Sequence, residues 1–423
     1  MSRVEATADM ERQLDSRTEQ QYRVSALVSV YNSSIYLDGL MRDLLSQTLY
    51  ARNELEIVLV DSHSPDAEDW AIIERYAASH PHIRAIRTHE RESLYMAWNR
   101  AIAEARGSYL TNANTDDRHA VNGLEVLANE LDRHPGIDLV HADVLISRVP
   151  NAPFHEVPPD EPFHTPTSFA PGMLLYFGFG PQPMWRRTVH DRIGVFNGEM
   201  KAAGDWDFGL RLVAQCRTKR APQVLGAFLV TENNISFRDS TMQNESLEVM
   251  NRWQTDENVE RLYLMEGISA STDVDRARIH LDMGVRALEF VNPLGGRRRH
   301  LQFALTRFQR ALQFVPDWSK AVNNIGVTFA LAGQVDQAAK LFEAAGRSQE
   351  CPEAGANARR LADGIAQMEI YGGFRPSSSG LSLPSTFDLA AGREWEAPIA
   401  SGSGLEDRGT SLLIPRKVTI ENS

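Results

Sequence analysis

Residues 109–119 read YLTNANTDDRH. A short apolar run, Ser108-Tyr109-Leu110, gives way to small polar residues and then to two adjacent carboxylates, Asp116 and Asp117. A buried strand that delivers acids to its C-terminal end fits an open α/β sheet, where ligands sit outside the carboxyl ends of the strands. Neighbouring carboxylates repel each other unless a positive group stands between or in front of them. A divalent cation shared with substrate phosphates meets that need. Taken alone, the pair favours a plainer reading, a solvated turn with Asp117 near the start of the next helix. The flanking chain reverses that preference.

Upstream, Val24 to Val30 (VSALVSV) is a compact β-branched run broken by Tyr31-Asn32-Ser33-Ser34. Leu37, Leu40, Met41, Leu44 and Leu45 follow at helical spacing, with Asn32, Ser33 or Ser34 able to cap the helix. A second strand, Leu55 to Val60, ends in Asp61-Ser62-His63-Ser64-Pro65-Asp66, and a helix covers about Ala67 to Ala78. The pattern continues with a strand over His82 to Arg87, a helix over Leu94 to Arg106, the strand into the Asp pair, a helix near Gly123 to Leu131 and a strand over Ile137 to Ala142. Strands alternating with helices predict a right-handed, mostly parallel sheet covered on both faces. The loops after Val30, Val60 and Thr111 then meet at one crevice, where acids on two strand ends beside helix N-terminal amides describe an anion-plus-metal site.

Composition bounds the answer. The chain has 423 residues, enough for two or three domains, with 42% hydrophobic and 24% charged residues. A net charge of −12 excludes a general nucleic-acid binder. Only Cys216 and Cys351 are present, so no disulfide framework or cysteine metal site is expected, and a reducing compartment is the default. Residues 1–21 form a polar arm without the apolar core of a signal peptide. No run approaches 18 apolar residues, so no transmembrane segment is expected. The expectation is a soluble cytoplasmic protein, with peripheral placement at the inner face of the membrane as the variant.

Beyond the Asp pair, a proline-rich stretch between Pro150 and Pro171 without periodicity reads as a long functional loop. A helix from about Trp206 to Gln215 follows, with Asp205 at its start, where N-capping is the plain explanation. A last strand covers Val224 to Thr231, and Ser246 to Met265 contains a helix.

With these residues in view, Arg23 to about Gly267 resembles the inverting glycosyltransferases of family two, which have the GT-A fold. SVYNSS resembles that family's first-strand nucleotide loop and VDSHSPD its second. AWNRAIAEARGSYLTNANTDD resembles the block ending in its Asp-x-Asp region, and WRRTVHDRIGVFNGEMKAAGDWDFGLRL resembles the block carrying its catalytic acid. The four occur in the family's order. Asn114 stands where the family's first Asp does, Gly204 where a Glu precedes the catalytic Asp, Trp98 where Arg is common and Ser29 where Pro is common. Asn233-Asn234 lie where some members have a metal-binding His.

The resemblance implies a role for each matched position. Asp205 would be the catalytic base, and Asp116 the ligand of a divalent Mn²⁺ or Mg²⁺. Val30, Tyr31, Asn32, Asp61, Asn114 and Asp116 would bind the nucleotide sugar, with Asp61 accepting an N–H of the base. Trp185, Trp206 and Asp207 would face the acceptor. The chemistry has a use for the acids: a metal stabilises charge on the departing nucleotide, and a carboxylate takes the acceptor's proton. His63, His119 and His141 read as structural.

The period changes after about Ser271. Ala304, Phe308 and Ala311 recur 34 residues later as Ala338, Phe342 and Ala345, the spacing of tetratricopeptide repeats. Asn292 to Arg299 (NPLGGRRR) is a basic insertion read as a solvated loop, and the Ser/Gly/Pro-rich end as a mobile tail.

The expected organisation is a polar arm (1–21), a GT-A glycosyltransferase domain (22–268), a helical repeat domain resembling tetratricopeptide repeats (272–369) and a tail (370–423). The expected function is metal-dependent, inverting transfer of a sugar from a nucleoside-diphosphate sugar, UDP-sugar favoured. The acceptor would be a carbohydrate or lipid-linked glycan in bacterial surface polysaccharide or glycoconjugate synthesis. A protein partner could dock on the repeats. The alternative is a catalytically degenerate nucleotide-sugar-binding scaffold whose repeats recruit partners.

Overall fold

Strand β1 (Val24–Val30) is the spine of the first half of the molecule. Its side chains are buried on both faces, Val24, Ala26, Val28 and Val30 on one and Ser25 and Leu27 on the other, as in a parallel strand with helices above and below. It pairs in parallel with β2 (Leu55–Asp61) on one side and with β4 (Tyr109–Asn112) on the other. Beyond β2 lies β3 (Ile83–Arg87), also parallel. The order β3-β2-β1-β4 reverses direction between β1 and β4, so the switch point falls beside the loops after Val30 and Asn112. Helix α1 (Ser34–Leu45) covers this sheet with Leu37, Leu40, Met41 and Leu44, one apolar stripe at 3.6-residue spacing. Helices α2 (Ala67–Ser79), α3 (Leu94–Glu104) and α4 (Gly123–Arg133) complete the layers.

The computed structural model describes residues 22–159, 162–165, 169–231, 240–289, 298–362, 367–369 and 386–388. The polar arm 1–21, Asn233-Asn234, most of the basic insertion and most of the tail lie outside them. Among the described residues the sheet has nine strands in the order β3-β2-β1-β4-β8-β6-β9-β5, with β7 beside β6. The added strands are β5 (Arg118–His119), β6 (Leu139–Ser147), β7 (Pro162–Phe163), β8 (Met184–Arg186) and β9 (Thr218–Leu229). The far half is mixed: β8 runs antiparallel to β4 and β6, while β6 and β9 are parallel with a register shift at Ala142–Asp143.

The described residues fall into two compact units. One lies within Met1–Thr165, Phe179–Phe208 and Cys216–Asn234, the other within Pro166–Gly178, Gly209–Gln215 and Ile235–Ser423. Helix α5 (Gly204–Val213) starts in the first. The second holds α6 (Thr241–Trp253), α7 (Asp256–Met265), α8 (Asp273–Glu289), α9 (Arg298–Phe314), α10 (Ser319–Leu331), α11 (Val335–Gly346) and α12 (Pro352–Ala362). The first unit is a GT-A fold and the second is mainly helical.

Helices α8 to α12 each pack on the next in sequence. Ala304, Phe308, Ala311, Ala338, Phe342 and Ala345 are all buried. In two successive pairs a glycine lies under a phenylalanine. A Cβ on Gly284 would come 2.5 Å from the Phe308 ring, and one on Gly326 would come 2.6 Å from the Phe342 ring. Phe342→Ala should therefore cost roughly 3–5 kcal/mol, the usual range for emptying a buried aromatic site. A lowered denaturation midpoint by circular dichroism at 222 nm would show it.

Cys216 and Cys351 are buried free thiols, each pushed up to about 11 by burial. No described helix is long and apolar enough to cross a membrane.

Candidate active site

The loops after β1 and β2 are tied together at the switch-point edge. The register pairs Val30 with Asp61. The Ser62 amide donates to the Val30 carbonyl at 2.9 Å, and the Asn32 amide donates to Ser64 Oγ at 3.1 Å. The Ser33 amide donates to Asp69 Oδ1 at 2.7 Å. Asn32 (φ 50°) and His63 (φ 55°) both pass through the left-handed region, which is uncommon for residues other than glycine although asparagine and histidine enter it more readily than most. Such local strain is often kept where it shapes a ligand site. Ser33 occupies the α1 N-cap position but makes no side-chain capping bond. Val30 is fully buried, so only its backbone faces this loop, while Tyr31 is partly exposed and Asn32 exposed.

Asp61 is completely buried at the end of β2. Its Oδ1 accepts the Ser64 amide at 3.0 Å, and Arg87 Nε lies 3.1 Å from Oδ2 in an ion pair that lacks good hydrogen-bond geometry. Arg87 in turn lies over the Trp70 ring.

The two acids after β4 part company. Asp117 is buried, its Oδ1 accepting the Leu229 amide at 3.3 Å and its Oδ2 accepting Asn114 Nδ2 at 2.9 Å. Burial and the neighbouring Asp116 charge hold its pKa well above the ordinary carboxylate value. Asp117 is a structural acid. Asp116 is half-buried, and burial raises its pKa also, against the charge of Arg118.

Arg118 is the cation these acids share. Only 3% exposed, it donates Nη1 to the carbonyls of Thr115 and Asp117, and Nη2 to Asn151 Oδ1 at 2.7 Å. Asn151 Nδ2 reaches back to the Ile35 carbonyl in α1 at 2.8 Å. The acidic loop is thereby strapped to the start of α1. Desolvation lowers the Arg118 pKa, opposed by Asp43, Asp117 and Asp116.

Asn114 has a job within this cluster, because its amide satisfies Asp117. Asn114→Asp would remove that donor and set another carboxylate against a buried one. It should cost about 1–3 kcal/mol, the penalty for stranding a buried polar group. A matched pair of urea titrations at neutral pH would read it.

The metal implied by the resemblance can be tested against these donors. Asp117 is excluded, since both its oxygens are engaged in the interior. Asp116 offers a hard oxygen with incomplete charge compensation. Among the described residues no cluster of three or more His, Cys, Asp or Glu forms a cage. A single carboxylate completed by substrate phosphates and waters is a usual way to hold Mg²⁺, so the residues fit such an ion.

Asp205 arrives from another direction. It is the second residue of α5, one position inside the helix and not at its N-cap. Its Oδ1 accepts the Trp206 amide at 2.8 Å and the Tyr95 hydroxyl at 3.2 Å. Helix α3 stitches this segment to the sheet. Ser93 caps α3 by accepting the Met96 amide at 3.1 Å and donates to the Gly198 carbonyl at 2.7 Å. Asn99 donates to the Phe196 carbonyl and accepts the Phe196 amide, both at 2.9 Å. The two sequence blocks that carry Asp116 and Asp205 are thus bound together through α3.

The expected acceptor residues are placed differently. Trp185 on β8 is 1% exposed; it packs against Phe196 and Phe208, and its indole N–H donates to His190 Nε2 at 3.0 Å. Trp206 and Asp207 are each 3% exposed. All three, expected to face the acceptor, are enclosed side chains in the structure. His119 and His141 are buried structural histidines, the first against Asp43 at 2.7 Å and the second against Thr165 at 3.0 Å. His63 is exposed. Tyr95, Asn99, Arg118 and Asn151 were not singled out on the sequence. Arg118 had a signal, a lone cation directly after two acids.

The sheet order, with Asp61 ending β2, Asp116 following β4 and Asp205 in the first turn of α5, is that of a glycosyltransferase of GT-A fold. Residues 25–199 match the model of the family described as glycosyl transferase family 2. A protein described as uncharacterized glycosyltransferase YwdF of Bacillus subtilis is 26% identical over 217 residues, which is 51% of this chain and 77% of that one. The minor teichoic acid biosynthesis protein GgaB of the same organism is 27% identical over 120 residues, 28% of this chain and 13% of its own length. Among solved structures, residues 1–349 of S. aureus TarS in complex with UDP-GlcNAc superpose with a TM-score of 0.50 at 16% identity. That match covers 86% of this chain and 99% of the other, and it speaks for the fold alone.

Proposed function

We propose that this enzyme transfers a sugar from a nucleoside-diphosphate sugar, UDP-sugar favoured, to a carbohydrate or lipid-linked glycan acceptor with inversion. The observation that carries the reading is the division of the acids. Asp117 is spent on the fold, while Asp116 and Asp205 stand on separately anchored segments that α3 holds together. Tyr31 and Asn32 would frame the nucleotide, and Asp61, oriented by Ser64 and Arg87, would accept an N–H of the base. Asp116 would hold Mn²⁺ or Mg²⁺, which when bound supplies Lewis-acid stabilisation of charge on the leaving diphosphate. Asp205 would take the acceptor hydroxyl's proton as it attacks the anomeric carbon. The teichoic acid role named for GgaB supports placing the reaction in surface polysaccharide synthesis. The helical unit, with its repeat period, would serve acceptor or partner recognition, since stacked helix pairs offer extended surfaces.

The test is incubation with a panel of UDP-, GDP- and TDP-sugars with Mn²⁺ and detection of released nucleotide. Release from one donor class, absent in EDTA, is expected. No release from any donor, with nucleotide binding intact, would favour the scaffold alternative.

A further inference from the structure

Gly204 departs from the family's block, where an acidic residue precedes the catalytic Asp, and the structure supplies a reason on α3. A Cβ on Gly204 would meet the Tyr95 ring 2.6 Å from Cδ2 and 2.7 Å from Cε2. Real Cβ atoms do not approach that closely, so the ring or the helix would have to move. The ring cannot yield cheaply. It is 1% exposed, stacked on Phe196 with centroids 5.9 Å apart and set edge-on to Trp98 at 5.5 Å. The Phe196 loop is itself clamped by Asn99. The missing side chain at 204 and the tyrosine at 95 therefore fit as one arrangement.

The tyrosine brings a polar end to that space. Its hydroxyl, within an apolar cluster, donates to Asp205 Oδ1 at 3.2 Å. Burial, and next the Asp205 charge, raise the phenol pKa well above its ordinary value, so the group stays a proton donor at any working pH. A buried donor of this kind finds its partner or costs stability.

We propose that Tyr95 is a positioning residue for Asp205: Gly204 leaves the room, the Tyr95 ring fills it, and the phenolic O–H fixes one carboxylate oxygen. This rests on the reading of Asp205 as the base. A base whose carboxylate swings is misaligned for part of its time, and small misplacements of reacting groups are costly in rate. In this chain a tyrosine on a neighbouring helix takes over part of the orientation of the base that an adjacent acidic residue could supply.

Steady-state kinetics of Tyr95→Phe on the full chain, with the donor that the nucleotide-sugar panel selects, tests it, beside Asp205→Asn as reference. Tyr95→Phe keeps the ring, so its melting temperature should stay within about 2–4 °C of the parent, the shift expected for ~1 kcal/mol in a domain of about 150–250 residues. Its kcat should fall about tenfold with donor KM within twofold. Loss of packing alone would lower the melting temperature and leave that split unseen. If Tyr95→Phe keeps kcat within twofold while Asp205→Asn loses it, the positioning role is wrong and the base assignment stands. If Asp205→Asn itself turns over normally, the underlying reading fails instead. The steric half is read from a double-mutant cycle: Gly204→Ala should lower the melting temperature in the parent and clearly less in a Tyr95→Leu background. Equal effects in both backgrounds would overturn it.

Discussion

Replacing Asp116 with alanine should reduce sugar transfer by roughly 10²–10³-fold, the rate equivalent of the several kcal/mol a metal supplies to a developing charge. The fold should survive. Burial raises the Asp116 pKa, so holding it ionised costs the folded state stability. The sign follows from linkage. An acid with a raised folded-state pKa contributes stability below the ordinary carboxylate range and loses it as pH climbs through the folded value. At neutral pH that contribution is already a cost, which alanine removes, so the melting temperature should hold or rise. Arg118 keeps its bonds to the Thr115 and Asp117 carbonyls and to Asn151, none of which involves the Asp116 side chain. The variant should also lose the tightening of UDP binding by Mn²⁺, measured by calorimetry with and without the ion. Asp116→Ala with parental turnover, or a parent protein indifferent to EDTA, would remove the metal from the mechanism.

The parallel half of the sheet was legible because each strand there carries its own signal. VSALVSV and LEIVLV are β-branched runs bounded by polar loops, and the structure places β1 and β2 within one residue of those limits. The far half was not. Strands β5 and β8 have two and three residues, too few for any period to show, and their pairing is fixed by contacts distant in sequence. The C-terminal end of β4 was read correctly as an acidic edge, but which Asp turns inward is decided by the Leu229 amide, more than a hundred residues away. The same applies to Trp185, Trp206 and Asp207. Aromatic residues beside an acid look like a sugar platform in sequence, and only the packing of Phe196 and Phe208 shows Trp185 enclosed. In sequence Gly204 is only a departure from the family's block, and the Tyr95 ring against its space is visible in the structure alone. In the helical unit the 34-residue recurrence was visible, whereas the Gly284–Phe308 and Gly326–Phe342 pairs were not. The insertion around Asn292 falls between Gly284 and Phe308 and makes that spacing longer than the one from Gly326 to Phe342, so no fixed period relates the two pairs.

Asp205→Asn separates chemistry from structure more sharply than any other single change. On the sequence, Asp205 had two explanations, a base and a helix cap. The structure puts it inside the first turn of α5, where its Oδ1 accepts the Trp206 amide and the Tyr95 hydroxyl. An asparagine carbonyl oxygen can accept both, and asparagine serves a helix start about as well as aspartate. Losing the negative charge near the positive end of the helix should cost about 0.3–1 kcal/mol. If the residue were structural, the variant would therefore work nearly as well as the parent. As a base it cannot, because an amide does not accept a proton at neutral pH. General-base removal costs about 10²–10⁴-fold in turnover. The expected result is a fall in kcat of that size, donor KM within a fewfold of the parent and an unchanged affinity for UDP. Near-parental kcat would return Asp205 to the fold and leave the attacking hydroxyl without its base.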